Sequence, residues 1–229
     1  MKILTAIMTH SGSQKNADAC SETWIKDITE PHDYLFYGDQ KQSETMDKTW
    51  NCTPKHGESR HRLAEKSYKM LVKSLKLEWD FLFKCDDDTF VVFDKLINLL
   101  EGYNPNDDLY IGFPLGQKGI KYAQGGSGYV LTRSAVKKYI DVFEFNKTSI
   151  NKFPHPFGRS EDFSMGFSLN YQNVNLIPTK LLSTPSPRSA RRDQSVCIDA
   201  IIKGGKITTH YVKSQTMYAI YEARNKLKI

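Results

Sequence analysis

The chain has 229 residues with 39% hydrophobic, 12% aromatic and 25% charged content, a mixture that excludes disordered, collagenous and low-complexity classes and describes one large globular domain over residues 1–229. Its formal charge of +6, from 32 Lys and Arg against 26 Asp and Glu, suits a phosphate-bearing ligand but is spread too evenly to argue for nucleic acid. No apolar run approaches the roughly 20 residues that a bilayer needs, and the start, Met1 to His10, is too short for a signal peptide. The expectation is therefore either a chain made without a targeting segment, or one whose anchor was removed.

Met1 to His10 reads as a first strand, Asn16 to Ile28 as a helix with Ala19, Thr23 and Trp24 inward, and Tyr34 to Gly38 as a second strand. Strand, helix and strand alternating at this pace predict a largely parallel sheet covered by helices. Asp39 to Gly57 is polar and unpatterned and reads as loop. From Ser59 to Leu77 the apolar residues Leu63, Met70, Leu71 and Leu75 recur at helical spacing.

This helix leads into Phe81-Leu82-Phe83-Lys84-Cys85-Asp86-Asp87-Asp88-Thr89-Phe90-Val91-Val92, an apolar strand that delivers three consecutive carboxylates to its end. Adjacent carboxylates repel one another and resist desolvation, so beside a buried strand they call for a cation. Oxygen ligands suit a hard divalent ion such as Mg²⁺ or Mn²⁺. An acidic turn with one helix-capping Asp is the plainer alternative.

Asp94 can cap a helix over Lys95 to Leu100; Leu109 to Phe113 reads as a strand and Pro114 to Gly119 as a turn. In Tyr122-Ala123-Gln124-Gly125-Gly126-Ser127-Gly128-Tyr129-Val130-Leu131, glycines interrupt a strand pattern, marking either a bulge or close approach of a ligand to the backbone. Ser134 to Phe143 reads as helix and Glu144 to Arg159 as loop. A helix begins at Glu161-Asp162, where acids ordinarily complement the helix dipole. After a short strand at Leu176-Ile177, residues 182–205 form the longest irregular stretch and read as a mobile lid or binding segment. A strand over Ile207 to Tyr211 and a helix over Ser214 to Lys228 close the chain. Cys20, Cys52, Cys85 and Cys197 lack C-x-x-C spacing, which argues against zinc and leaves disulfides open.

Several of these segments, in this order, resemble the inverting β1,3-glycosyltransferase family that includes Fringe, most closely its core 1 galactosyltransferase branch. The likeness is carried by Ile7-Met8-Thr9, Glu22-Thr23-Trp24, Phe83 to Val92, Gly125 to Leu131, Glu161-Asp162 with Gly166, and His210-Tyr211-Val212 with Thr216-Met217-Tyr218. It implies a GT-A fold, an α/β nucleotide-sugar-binding sandwich. It also implies a UDP-sugar donor, a glycan or glycoprotein acceptor, and Mn²⁺ held by Asp88 and His210 with Asp86 beside them. Asp86, Asp87, Gly125 and Gly126 would line the donor site, together with Thr9 and His10. Asp162 falls where the family places its catalytic base. The implied reaction is inverting β1,3 transfer, of galactose first and N-acetylglucosamine as the alternative. A non-catalytic glycan-binding or chaperone relative, and a carboxylate-based Mg²⁺ phosphohydrolase, are the competing readings. Thr184 to Asp193, rich in Pro, Ser and Arg, departs from the aromatic acceptor region of the core 1 branch, so acceptor identity does not transfer.

Overall fold

The computed structural model describes residues 1–39, 46–55, 57, 59, 62–117, 119–148 and 160–227. Two strands form its centre, β1 (Ile3–Met8) and β4 (Phe81–Asp86), paired in parallel from Ile3 opposite Phe81 to Met8 opposite Asp86. Their apolar runs are buried on both faces, as expected of strands covered on either side. Alternation sorts the side chains. Ile3, Ile7, Phe81, Phe83 and Cys85 enter one core, while Leu4, Ala6, Met8 and Leu82 enter the other.

Outward from β1 lie β2 (Asp33–Gly38) and β3 (Thr49–Asn51), both parallel to it. On the other side β4 pairs with β9 (Tyr129–Thr132), which is antiparallel to it and to β6 (Tyr110–Gly112), and β10 (Leu176–Pro178) lies parallel on the edge. The seven-stranded order is thus β10-β6-β9-β4-β1-β2-β3. The chain moves one way from β1 and the other way from β4, so a crevice opens where these two strands end.

Helices α1 (Gln14–Glu22), α3 (Phe93–Leu100), α7 (Ser195–Ile202) and α8 (Ser214–Leu227) supply Ala19, Leu96, Cys197 and Met217 to the first core. Helices α2 (Leu63–Ser74), α4 (Arg133–Thr148) and α5 (Glu161–Tyr171) supply Met70, Tyr139 and Met165 to the second. Two further pairs stand apart from the main sheet: β5 (Thr89–Val91) with β11 (Thr208–His210), and the hairpin of β7 (Pro114–Gln117) and β8 (Ile120–Ala123). Among the described residues, no helix is long and apolar enough to cross a membrane.

Several local expectations are corrected. Residues 182–205 are not one irregular segment: α6 (Pro187–Arg192) and α7 occupy most of them. The Ser186 hydroxyl caps the Ser189 N–H, Pro187 opens α6, and burial of Ala190, Cys197 and Ile201 anchors both helices. Asp94 is not a cap. Val92 precedes the helix because Phe93 is drawn fully into the core, leaving Asp94 in the first turn. The span read as a turn at 114–119 begins a hairpin, α4 continues past Phe143 to Thr148, and the loop after Asp39 includes β3. The rest of the loop expected up to Arg159, residues 149–159, lies outside the described residues.

Candidate functional site

Strand β4 ends at Asp86, a tight turn holds Asp87 and Asp88, and β5 leaves from Thr89. Antiparallel pairing of β5 with β11 sets His210 opposite Thr89. That register brings the His210 Nε2 to 2.9 Å from Asp88 Oδ1 and 3.9 Å from Asp86 Oδ2. One ligand atom from each of the three lies within 4.8 Å of the others. The backbone reinforces the arrangement, since the Val212 N–H donates to the Asp88 carbonyl at 2.9 Å. On the far side of the ring, the Gln124 amide nitrogen lies 3.1 Å from Nδ1.

Electrostatics in this cluster favour positive charge. Burial opposes a charge on His210, yet its hydrogen bond to Asp88 and the charges of Asp88 and Asp86 outweigh burial and lift its pKa. Burial likewise works against ionised Asp86, but the Lys84 ammonium and then His210 hold that carboxyl below its ordinary range. Two carboxylates and an imidazole in such a field form a donor set that fits a divalent ion such as Mn²⁺.

The third carboxylate of the triplet has a different setting. Asp87 accepts hydrogen bonds from Thr9 Oγ1 at 2.6 Å and from the Ser13 hydroxyl, and its N–H donates to the Met8 carbonyl at 3.0 Å. Burial lifts its pKa to about 7 against these hydroxyl donors, with Asp88 and Asp86 adding to the rise. Asp87 therefore braces the turn against the end of β1. His10 is exposed and caps a short 3₁₀ turn, its Nδ1 accepting from the Gly12 N–H at 3.0 Å.

Gly125 and Gly126 divide the site. A side chain at Gly126 would overlap the His210 ring, and a Cβ at Gly125 would lie 2.6 Å from Asp162 Oδ1 and 2.7 Å from Glu161 Oε2. Consecutive residues thus touch the imidazole and the Glu161-Asp162 pair. The Gly126 carbonyl is held by the Asp86 N–H at 3.2 Å and the Thr89 hydroxyl at 2.7 Å. Of the two acids, Asp162 is half-buried, while Glu161 is 1% exposed and accepts from the Tyr129 hydroxyl at 2.5 Å. Glu161 is therefore a core group, beyond the dipole complement expected at a helix start. Burial, with the neighbouring charge of Asp162, lifts its carboxyl to about 7 even though Lys84 pulls it down. Burial works against a charge on Lys84, but Asp86 at 2.8 Å, with Glu161 at 3.5 Å, outweighs burial and lifts its pKa.

A cleft of about 490 Å³ runs from Thr9 and His10 past Asp86, Asp87 and Asp88 to Lys66. A second of about 830 Å³, lined with hydroxyls, amides and the cations Lys15, Arg191 and Lys213, shares His10, Ser13, Asn16 and Asp88 with it. Sequence reasoning missed the buried Lys84, although a lone lysine inside an apolar strand signals a paired charge, and the buried Lys66, which sits among the other lysines of α2. It also missed Ser13 and Gln124, whose neutral side chains carry no such signal.

A family model described as Fringe-like matches residues 3–193. A stretch of 93 residues is 34% identical to Glycoprotein-N-acetylgalactosamine 3-beta-galactosyltransferase 1 of Xenopus laevis, covering 38% of this chain and 25% of that protein. Over 84 residues the chain is 32% identical to a Beta-1,3-glucosyltransferase of Mus musculus, covering 33% of this chain and 17% of the relative. The matches thus span a quarter or less of these relatives' own lengths. Among solved structures, the glycosyltransferase involved in glycosylation of the major capsid of PBCV-1 superposes with a TM-score of 0.52 at 14% identity, over 97% of this chain and 98% of that one. GlyE of Streptococcus pneumoniae TIGR4 gives 0.57 at 9% identity over 96% and 59%, and the galactosyltransferase LgtC gives 0.52 at 10% over 97% and 96%. At these identities the structural likeness establishes the fold.

Proposed function

The chain belongs to the Fringe-like family and has the GT-A glycosyltransferase fold, and from that premise we propose that it is a UDP-sugar-dependent hexosyltransferase forming a β1,3 linkage to a glycan hydroxyl, with galactose as the sugar transferred. The observation that carries this reading is the meeting, across Gly125 and Gly126, of an Asp86-Asp88-His210 cluster with the carboxylate of Asp162. The 3-beta-galactosyltransferase relative supports galactose and the linkage.

Asp86, Asp88 and His210 would hold Mn²⁺, which when bound neutralises and orients a departing diphosphate. The cleft beside Thr9 and His10, floored by the Lys66 ammonium, would seat the nucleotide. Asp162 takes the proton of the acceptor hydroxyl, whose pKa is too high for unaided ionisation. As that proton leaves, the acceptor oxygen bonds to the anomeric carbon and the bond from that carbon to the UDP oxygen breaks. Direct attack with Asp162 as base inverts the anomeric carbon, by the same logic that applies to inverting glycosidases. An α-linked donor sugar becomes a β-linked product.

UDP release from a panel of UDP-sugars, with and without Mn²⁺ and with simple α- and β-linked acceptors, tests the reading. Metal-dependent turnover of UDP-galactose is the expected result; absence of UDP binding in the presence of Mn²⁺ would overturn it. Asp162→Asn should lower kcat by ~10²- to 10⁴-fold with UDP affinity nearly unchanged, because a base acts on the chemical step. Equal loss of UDP affinity would remove Asp162 from that role.

A further inference from the structure

We infer that Lys84 is a positioning residue that fixes the Asp86 carboxylate relative to the start of the helix carrying Asp162; the inference rests on the function proposed above. Lys84 and Asp86 sit two residues apart on β4, so their side chains share a face of the strand. The Lys84 side chain is fully buried, and its Nζ reaches three separate elements. It lies 2.8 Å from Asp86 Oδ1 at the strand end, 3.3 Å from the Gly125 carbonyl in the loop, and 3.5 Å from Glu161 Oε2 at the first residue of α5.

Each carboxylate is divided between two tasks. Asp86 gives Oδ1 to Lys84, which leaves Oδ2 as the oxygen facing His210. Glu161 gives Oε2 to Lys84 and Oε1 to the Tyr129 hydroxyl at 2.5 Å. Asp162 is the next residue along. Lys84 therefore links the orientation of a proposed metal ligand to the placement of the proposed base, through contacts that converge on a fully buried ammonium. A buried ion pair is a poor source of stability compared with well-packed apolar groups, because desolvation offsets its attraction. Support of the strand end alone could have been left to an apolar side chain; orienting two carboxylates needs the charge.

Lys84→Met removes the charge with little change in length. Mn²⁺ titration without nucleotide, followed by electron paramagnetic resonance, should show affinity lowered by ~10- to 100-fold, the usual effect of removing a partner that orients a ligand. kcat for UDP-sugar transfer should fall by a comparable factor. Tyr129→Phe, which removes only the hydroxyl bracing Glu161, should lower kcat by about 10-fold while leaving Mn²⁺ affinity unchanged. This split separates positioning from general loss of structure. A folded Lys84→Met protein with wild-type Mn²⁺ affinity overturns the inference. If Lys84→Met does not fold, Tyr129→Phe decides: wild-type kcat, or parallel loss of Mn²⁺ affinity and kcat, overturns it. Wild-type protein that binds Mn²⁺ yet binds no UDP overturns the proposed function instead, and the Mn²⁺ titrations still judge Lys84.

Discussion

Glu161→Gln provides a quantitative test of the buried charge network. Glu161 is fully enclosed, and its carboxyl titrates near 7 against an ordinary 4.5. At about 1.36 kcal/mol per tenfold change in proton affinity, the gap corresponds to ~3 kcal/mol of pH-dependent stability. The sign follows from proton counts. Between pH 4.5 and 7 the folded protein keeps a proton on Glu161 that the unfolded chain releases, so folding stability from this group falls as pH rises through that window. It is fully retained below pH 4.5 and lost above 7. Glutamine keeps the shape and one acceptor oxygen, which can serve Tyr129 or Lys84 but not both, and it does not titrate. Denaturant unfolding of both proteins at a series of pH values, metal-free, gives the stability difference at each pH and cancels the contribution of every other group. Relative to wild type, Glu161→Gln should gain ~3 kcal/mol between pH 4.5 and 8. A difference that stays flat, or moves against the variant, would refute the reasoning and make Glu161 an ionised partner of Lys84 at all these pH values.

Three other substitutions test separate parts of the fold and site. Gly126→Ala should displace the His210 ring, which its Cβ would overlap, and calorimetry should show Mn²⁺-dependent UDP affinity reduced by ~10-fold or more with helix content retained. Phe83→Ala opens a cavity at a fully buried position between β4 and Gly128 and should cost ~3–5 kcal/mol in urea unfolding. Ser186→Ala removes the hydroxyl that caps α6 and should cost ~1 kcal/mol, with amide-exchange protection lost first over residues 187–192.

Much of the fold was written in local patterns. Apolar runs at Ile3 to Met8 and Phe81 to Cys85 read as buried strands, and their alternation determined which side chains enter each core. Glycines in the run before Tyr129 marked either a bulge or the approach of a ligand to the backbone; what the structure packs against them is protein, His210 on one residue and the two acids on its neighbour. Weaker patterns failed where segments were short. Both α6 and α7 were missed because six- and eight-residue helices present too few turns for periodicity to stand out, and the polar composition of α6 hid it further.

Composition and motif order by themselves determined an α/β chain whose acidic triplet ends a buried strand, because strand burial and carboxylate repulsion are properties of neighbouring residues. Only the tertiary structure decided how the three acids divide their work. Asp87 turned toward Thr9 and Ser13, Asp86 split between Lys84 and His210, and Asp88 paired with His210. That division depends on the β5–β11 register and on where α5 begins. Both are set by packing between residues far apart in the chain, which no local pattern encodes.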